Sequence, residues 1–130
     1  MKPELLKLMK VFLALVALHS FCVGVGLIAL PLGYFDLFGL GGYQGAFFKT
    51  QGGVFHIVMC GAYLPAAMNP VKKILLVRFS IFAKFTATVF LLSYAFIYEM
   101  AWIILVSGIL DLLMGLVLYW FHRKLNRVRV

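Results

Sequence analysis

Apolar positions along this chain neither alternate nor recur on one helical face; they run on. Stretches over residues 11–30, 50–68, 72–98 and 101–121 are apolar on nearly every side, with polar side chains appearing singly inside them. A helix that is apolar all round belongs in lipid or deep inside a large protein, and about 20 such residues cross a bilayer core. The pattern predicts an all-α fold, an up-down-up-down four-helix membrane bundle. Its helices cover about 8–30, 50–68, 72–98 and 101–121, in a single membrane domain over 1–130.

The breaks fall where backbone chemistry demands them. Pro31 and Gly33 end the first helix, and Asn69-Pro70 turns the second into the third. Pro65 frees a backbone carbonyl inside the second helix and predicts a kink there. A basic start before an apolar run is also the mark of a signal peptide. This run is too long for one and has no small-x-small cleavage site, so it reads as a retained first helix. Residues 32–49 are dense in glycine and aromatics, from Gly33, Tyr34 and Phe35 to Phe47 and Phe48. That composition suits an outer interfacial loop, either a short interfacial helix or a lid over a ligand pocket.

Composition agrees: 130 residues that are 65% hydrophobic and 12% charged expose more apolar surface than a small soluble globule can bury. The formal charge of +8 would suggest nucleic acid in a soluble protein. Its distribution points to topology instead. Lys2, Lys7, Lys10, Lys72, Lys73, Arg123, Lys124, Arg127 and Arg129 flank one side of a four-crossing arrangement, and Lys49 alone falls on the other. This positive-inside bias places both termini in the cytoplasm and leaves no role for nucleic acid, with membrane lipids as the expected partners. Cys22 and Cys60 lie inside apolar stretches and read as small buried side chains.

Each apolar stretch carries an ionisable side chain near its middle: His19, His56, Lys84 and Asp111. At about 1.5 Å of rise per residue, all four sit roughly 14 to 20 Å from the cytoplasmic boundary, near the centre of a roughly 30 Å core. Such groups at mid-membrane are costly and commonly functional. Ser80, Lys84 and Thr88 share a face of the third helix, and Gly108, Asp111 and Gly115 a face of the fourth, with Ser107 beside it. Arg78 points away from Ser80 and is shallow enough to snorkel. Gly53, His56, Cys60 and Ala67 make a small or polar stripe on the second helix; His19, Cys22 and Gly26 make one on the first. Lys84 and Asp111 are expected to pair, because pairing offsets most of the cost of burying either charge alone. Ser80, Thr88 and Ser107 are expected to line the pocket around them.

His19 and His56 admit several readings: hydrogen-bonded core histidines, axial ligands of a b-type haem, or, with Cys22 and Cys60, a tetrahedral metal site. His122 reads as an interfacial anchor and Glu99 as a solvated turn residue. No phosphate-cradling glycine loop, nucleophile elbow or pair of catalytic acids is present, so the reading leans away from an enzyme.

The run Gly61-Ala62-Tyr63-Leu64-Pro65-Ala66-Ala67-Met68-Asn69-Pro70, followed by Lys84 and Asp111, resembles small bacterial four-helix membrane proteins of the DoxX-like group. The likeness covers roughly residues 51–120 and carries over Tyr63, Pro70, Lys84 and Asp111 as motif positions. Asn69 departs from it, since that turn is often acidic in the group. The resemblance implies a multi-pass protein of the bacterial inner membrane and adds Tyr63 to the pocket lining. Much of the group has no assigned activity. The expected function is a non-enzymatic membrane protein whose pocket of His19, His56, Lys84 and Asp111 serves an accessory subunit or binds a small amphiphile, a quinone or a lipid. The alternatives are a proton-coupled carrier and a b-type haem electron-transfer protein. A homo-oligomer or a larger membrane complex is compatible with each.

Overall fold

The computed structural model describes residues 3–42, 44–98 and 100–126; Lys2, Tyr43, Glu99, Arg127 and Arg129 lie outside the described residues. The fold is all-α. Four long helices follow one another, α1 Pro3–Ala29, α2 Ala46–Met68, α3 Ile74–Ile97 and α4 Trp102–Asn126, with a short 3-10 helix, Leu32–Phe38, between the first two.

The helix ends differ from the expected ones for local reasons. α1 starts at Pro3 rather than near residue 8, since proline fits the first helical turn and Glu4 favours the positive end of the helix dipole. α2 starts at Ala46 rather than near residue 50 and takes Phe47, Phe48 and Lys49 out of the loop. α4 continues past Phe121 through the basic Arg123 and Lys124, cations that complement its C-terminal dipole. The α2–α3 turn is held by Asn69, whose carbonyl accepts the Lys73 N–H at 2.9 Å and whose side-chain oxygen accepts the Lys72 N–H at 3.1 Å.

α1 and α2 form one closely packed hairpin and α3 and α4 another; the hairpins meet chiefly through α2 and α3, and only narrowly through α1 and α4. Met9 and Leu13 of α1, Ala66 and Ala67 of α2, Val77 and Ile81 of α3, and Leu118, Phe121 and Leu125 of α4 close a single core. Because this core joins the starts of α1 and α3 to the ends of α2 and α4, consecutive helices run antiparallel.

Within the first hairpin the backbones nearly touch. A Cβ added to Gly24 would lie 2.9 Å from the Gly53 carbonyl oxygen, and one added to Gly53 would lie 2.7 Å from that of Gly24. Small residues permit this approach. Gly53, Cys60 and Ala67 of the expected α2 stripe are all buried. On α1, however, the packing face is Ala17, Ser20 and Gly24, and not the expected His19, Cys22 and Gly26; Cys22 is exposed.

Outward, the bundle carries Leu15, Leu18, Phe82, Val89, Phe96 and Leu113, each more than half exposed. Apolar surface of this extent is matched by lipid and not by water, and the chain is an integral membrane helical protein. α1, α3 and α4 are each long and apolar enough to cross a bilayer. α2 has the length, at 23 residues, but falls short in apolarity. Lys49, Gln51, His56 and its glycines dilute the run, and it depends on α1 and α3 to cover them.

Candidate functional site

Lys84 and Asp111 face each other between α3 and α4. The Lys84 Nζ donates to Asp111 Oδ1 at 2.6 Å, and both side chains are almost fully buried. Glycine makes room for the pair: a Cβ on Gly115 would lie 3.4 Å from that of Lys84. The ammonium also lies 5.7 Å from the centre of the Tyr63 ring on α2, a cation–π contact. An ammonium has three protons to donate, and Asp111 takes one.

A second polar knot joins α1 to α2. Ser20, buried on α1, donates its hydroxyl to the His56 carbonyl at 3.0 Å, while its oxygen lies 3.1 Å from His56 Nδ1. With its single proton given to the carbonyl, the hydroxyl accepts from Nδ1–H. This network therefore assigns the proton of the neutral ring to Nδ1 and leaves Nε2 an acceptor. The Cys60 thiol donates to the Ala17 carbonyl at 3.4 Å. His19, one residue before Ser20, turns to another side, where its Nδ1 is buried with no hydrogen-bond partner.

Two cavities surround these groups. One, of about 610 Å³, lies between α2 and α3, walled by Phe55, Met59 and Tyr63 on one helix and Phe79, Phe82 and Ala83 on the other, with Ser20 and Lys84 at its inner side. The other, of about 470 Å³, lies among α1, α3 and α4. Val23, Leu27, Leu91, Ile104, His19 and Ser107 line it, with Phe35 and Phe38 from the 3-10 helix. His56, Ala87, Phe90 and Asp111 line both. The 3-10 helix is pinned over this second cavity: Trp102 Nε1–H donates to the Leu37 carbonyl at 3.0 Å, and the Phe38 and Trp102 rings lie 6.0 Å apart.

His19, His56, Lys84 and Asp111 thus all border the cavities, with His56 and Asp111 on both. Of the expected lining, Tyr63 borders the first cavity and Ser107 the second. Ser80 and Thr88 are buried beside Lys84 but line neither. Their hydroxyls return to their own helix, at 2.7 Å to the Leu76 carbonyl and 2.8 Å to that of Lys84, the common fate of hydroxyls in an apolar helix. Ser20 was not among the expected residues. Its signal was the small-residue spacing Ala17, Ser20, Gly24, which outlines a packing face.

The metal and haem readings do not fit. No group of three or more histidine, cysteine or acidic side chains placed to hold a metal occurs among the described residues, and Cys22 faces outward. A haem held by His19 and His56 needs a slot for the macrocycle between α1 and α2. The contacts at Gly24, Gly53, Ser20 and His56 close that slot.

Two charges outside the cluster also find partners. Lys49, expected in the outer loop, is buried in the first turn of α2. Its Nζ donates to the Leu30 carbonyl at 2.7 Å and the Ile28 carbonyl at 3.4 Å, satisfying backbone groups at the end of α1. Arg78 is exposed, as its facing predicts, and its Nε–H donates to His122 Nε2 at 3.2 Å.

No family model, curated protein or solved structure matches the chain. The geometry itself can do one thing plainly. It offers a neutral ion pair and the acceptor nitrogen of His56 to a molecule lying between apolar walls.

Proposed function

We propose that this protein binds a neutral amphiphile within the membrane, holding its polar group at His56, Lys84 and Asp111 and its apolar part in the flanking cavities. In this reading all four helices cross the bilayer. Lys7, Lys10, Lys72, Lys73, Arg123 and Lys124 then gather at the cytoplasmic end, and the lone cation at the opposite end, Lys49, acts as a helix cap.

The observation that carries the proposal is that His56, its Nε2 left to accept, and the Lys84–Asp111 pair stand at two mostly apolar cavities. An acceptor left between apolar walls costs about 1–3 kcal/mol unless something supplies its hydrogen bond. The spare protons of Lys84 and the open Nε2 of His56 call for a head group that both accepts and donates. A hydroxyl does both, and because Lys84 and Asp111 cancel, the site favours an uncharged molecule. Pockets of a few hundred cubic ångströms with apolar walls and a few converging polar groups are the usual form of small-molecule sites.

The test is a melting-temperature titration of the purified full chain in detergent, with a long-chain alcohol as the lipid-type probe and an alkyl benzoquinol as the quinone-type probe. One or both should raise the melting temperature saturably. His56→Leu should weaken that probe about tenfold, the equivalent of one lost hydrogen bond. Absence of a shift with both probes, or an affinity unchanged in His56→Leu, overturns the proposal.

A further inference from the structure

The polar groups are not at the end of either cavity. They stand where the two cavities meet. His56, Ala87, Phe90 and Asp111 form a partition with the larger cavity on one face and the smaller on the other. Away from it, both spaces are walled mainly by aliphatic and aromatic side chains. Across the bundle the order is therefore apolar, polar, apolar. The hairpins pack in the core around Leu13, Val77 and Leu118 and where Met114 meets Val16, Ala17 and Tyr63, and beyond these contacts the cavities lie between them. That core closes the bundle on one side, and Phe35 and Phe38 roof the smaller cavity. On its flank the larger cavity is bordered by Phe55, Phe79 and Phe82, rings well exposed on the lipid-facing surface. A ligand that enters there comes from the bilayer sideways and not from water.

A molecule with its polar group at one end can use the partition and fill one cavity, leaving the other to stray chains. A molecule with its polar group between two apolar arms fills both and brings that group to the imidazoles and the ion pair. We infer that the two cavities are one site spanned by a single chain-bearing ligand whose uncharged polar group lies between two apolar arms. This rests on the amphiphile-binding reading and specifies the class of molecule. The smallest side chain in the partition is Ala87, and a slender chain carrying a hydroxyl or carbonyl is the form that would cross there.

Isomeric alcohols test this directly. A symmetrical secondary alcohol with the hydroxyl at mid-chain and its terminal-hydroxyl isomer contain the same atoms, so differences in partitioning into detergent are small. The full-length protein should bind the mid-chain isomer about tenfold more tightly, by melting-temperature titration. Ala83→Phe fills only the larger cavity and Val23→Phe only the smaller. Each should weaken the mid-chain isomer about tenfold, because each removes room for one arm. If a phenylalanine variant no longer elutes as a folded species, Ala83→Leu and Val23→Leu make the same comparison with less added volume.

Equal or preferential binding of the terminal isomer overturns the inference. So does sensitivity to filling one cavity only. Both results leave amphiphile binding in place, with a head-first ligand in a single cavity. Failure of both isomers to bind overturns the inference, and amphiphile binding then stands only if the alkyl benzoquinol raises the melting temperature.

Discussion

The two halves of this bundle are built from similar residues and behave differently. In the half that holds the starts of α1 and α3, Met9, Leu13, Val77 and Leu118 have no exposed surface, and side chains from all four helices interlock. In the other half the same helices diverge around two cavities, and α1 is tied to α2 by glycines and a serine in place of large side chains. Lipid tails are as apolar as leucine, so helices in a bilayer associate by close packing and hydrogen bonds and not by escape from water. The packed half gains from dispersion contacts. The open half forgoes them and is held by a buried ion pair, a glycine crossing and the Lys49 cap.

That contrast can be broken most severely at the ion pair. Asp111→Ala leaves Lys84 buried without its counter-ion and should destabilise the protein by about 3–5 kcal/mol, whereas Lys84→Met with Asp111→Leu should restore most of the loss. Chemical unfolding of the purified protein measures both, and an equally unstable double variant would show that the pair is more than mutual neutralisation.

Truncation compares the halves directly. Leu118→Ala should cost about 2–4 kcal/mol, because its neighbours cannot collapse into the space. Leu91→Ala, at the wall of an existing cavity, should cost under about 1 kcal/mol by the same reasoning. Equal costs would mean that the cavities are not open space in the folded protein.

The crossing of α1 and α2 is the next test. Gly53→Val forces a Cβ to within 2.7 Å of the Gly24 carbonyl oxygen and should cost about 1–3 kcal/mol through separation of the helices. The last effect has the opposite sign. His19→Leu removes a buried nitrogen that has no partner, so without ligand it should melt slightly higher than the parent, by about 1 kcal/mol of stability. A lower melting temperature would show that His19 is already satisfied.

Much of this site is legible along the chain. That His19, His56, Lys84 and Asp111 border the same pair of cavities accords with their places near the middle of their apolar stretches, and the shared face of Lys84 with Ser80 and Thr88 follows from their spacing. Lys49 could not be read in the same way: its role depends on where the end of α1 lies in space. The 3-10 helix was equally hidden, because glycine and aromatics suit both an interfacial turn and a roof over a cavity.

The sequence by itself determined that the chain is helical and covered by lipid, and which polar residues interrupt its apolar runs. Only the tertiary structure decided rotation. A helix apolar on every side gives no signal for which face turns inward, so His19 and Ser20, about 100° apart around α1, were equally eligible for the contact with α2. Ser20 takes it because a small side chain allows the backbones to meet at Gly24 and Gly53, and His19 is thereby turned to the cavity. Depth is a property of one helix, set by its own hydrogen bonds. Facing is a property of pairs, set by which side chains let two helices approach.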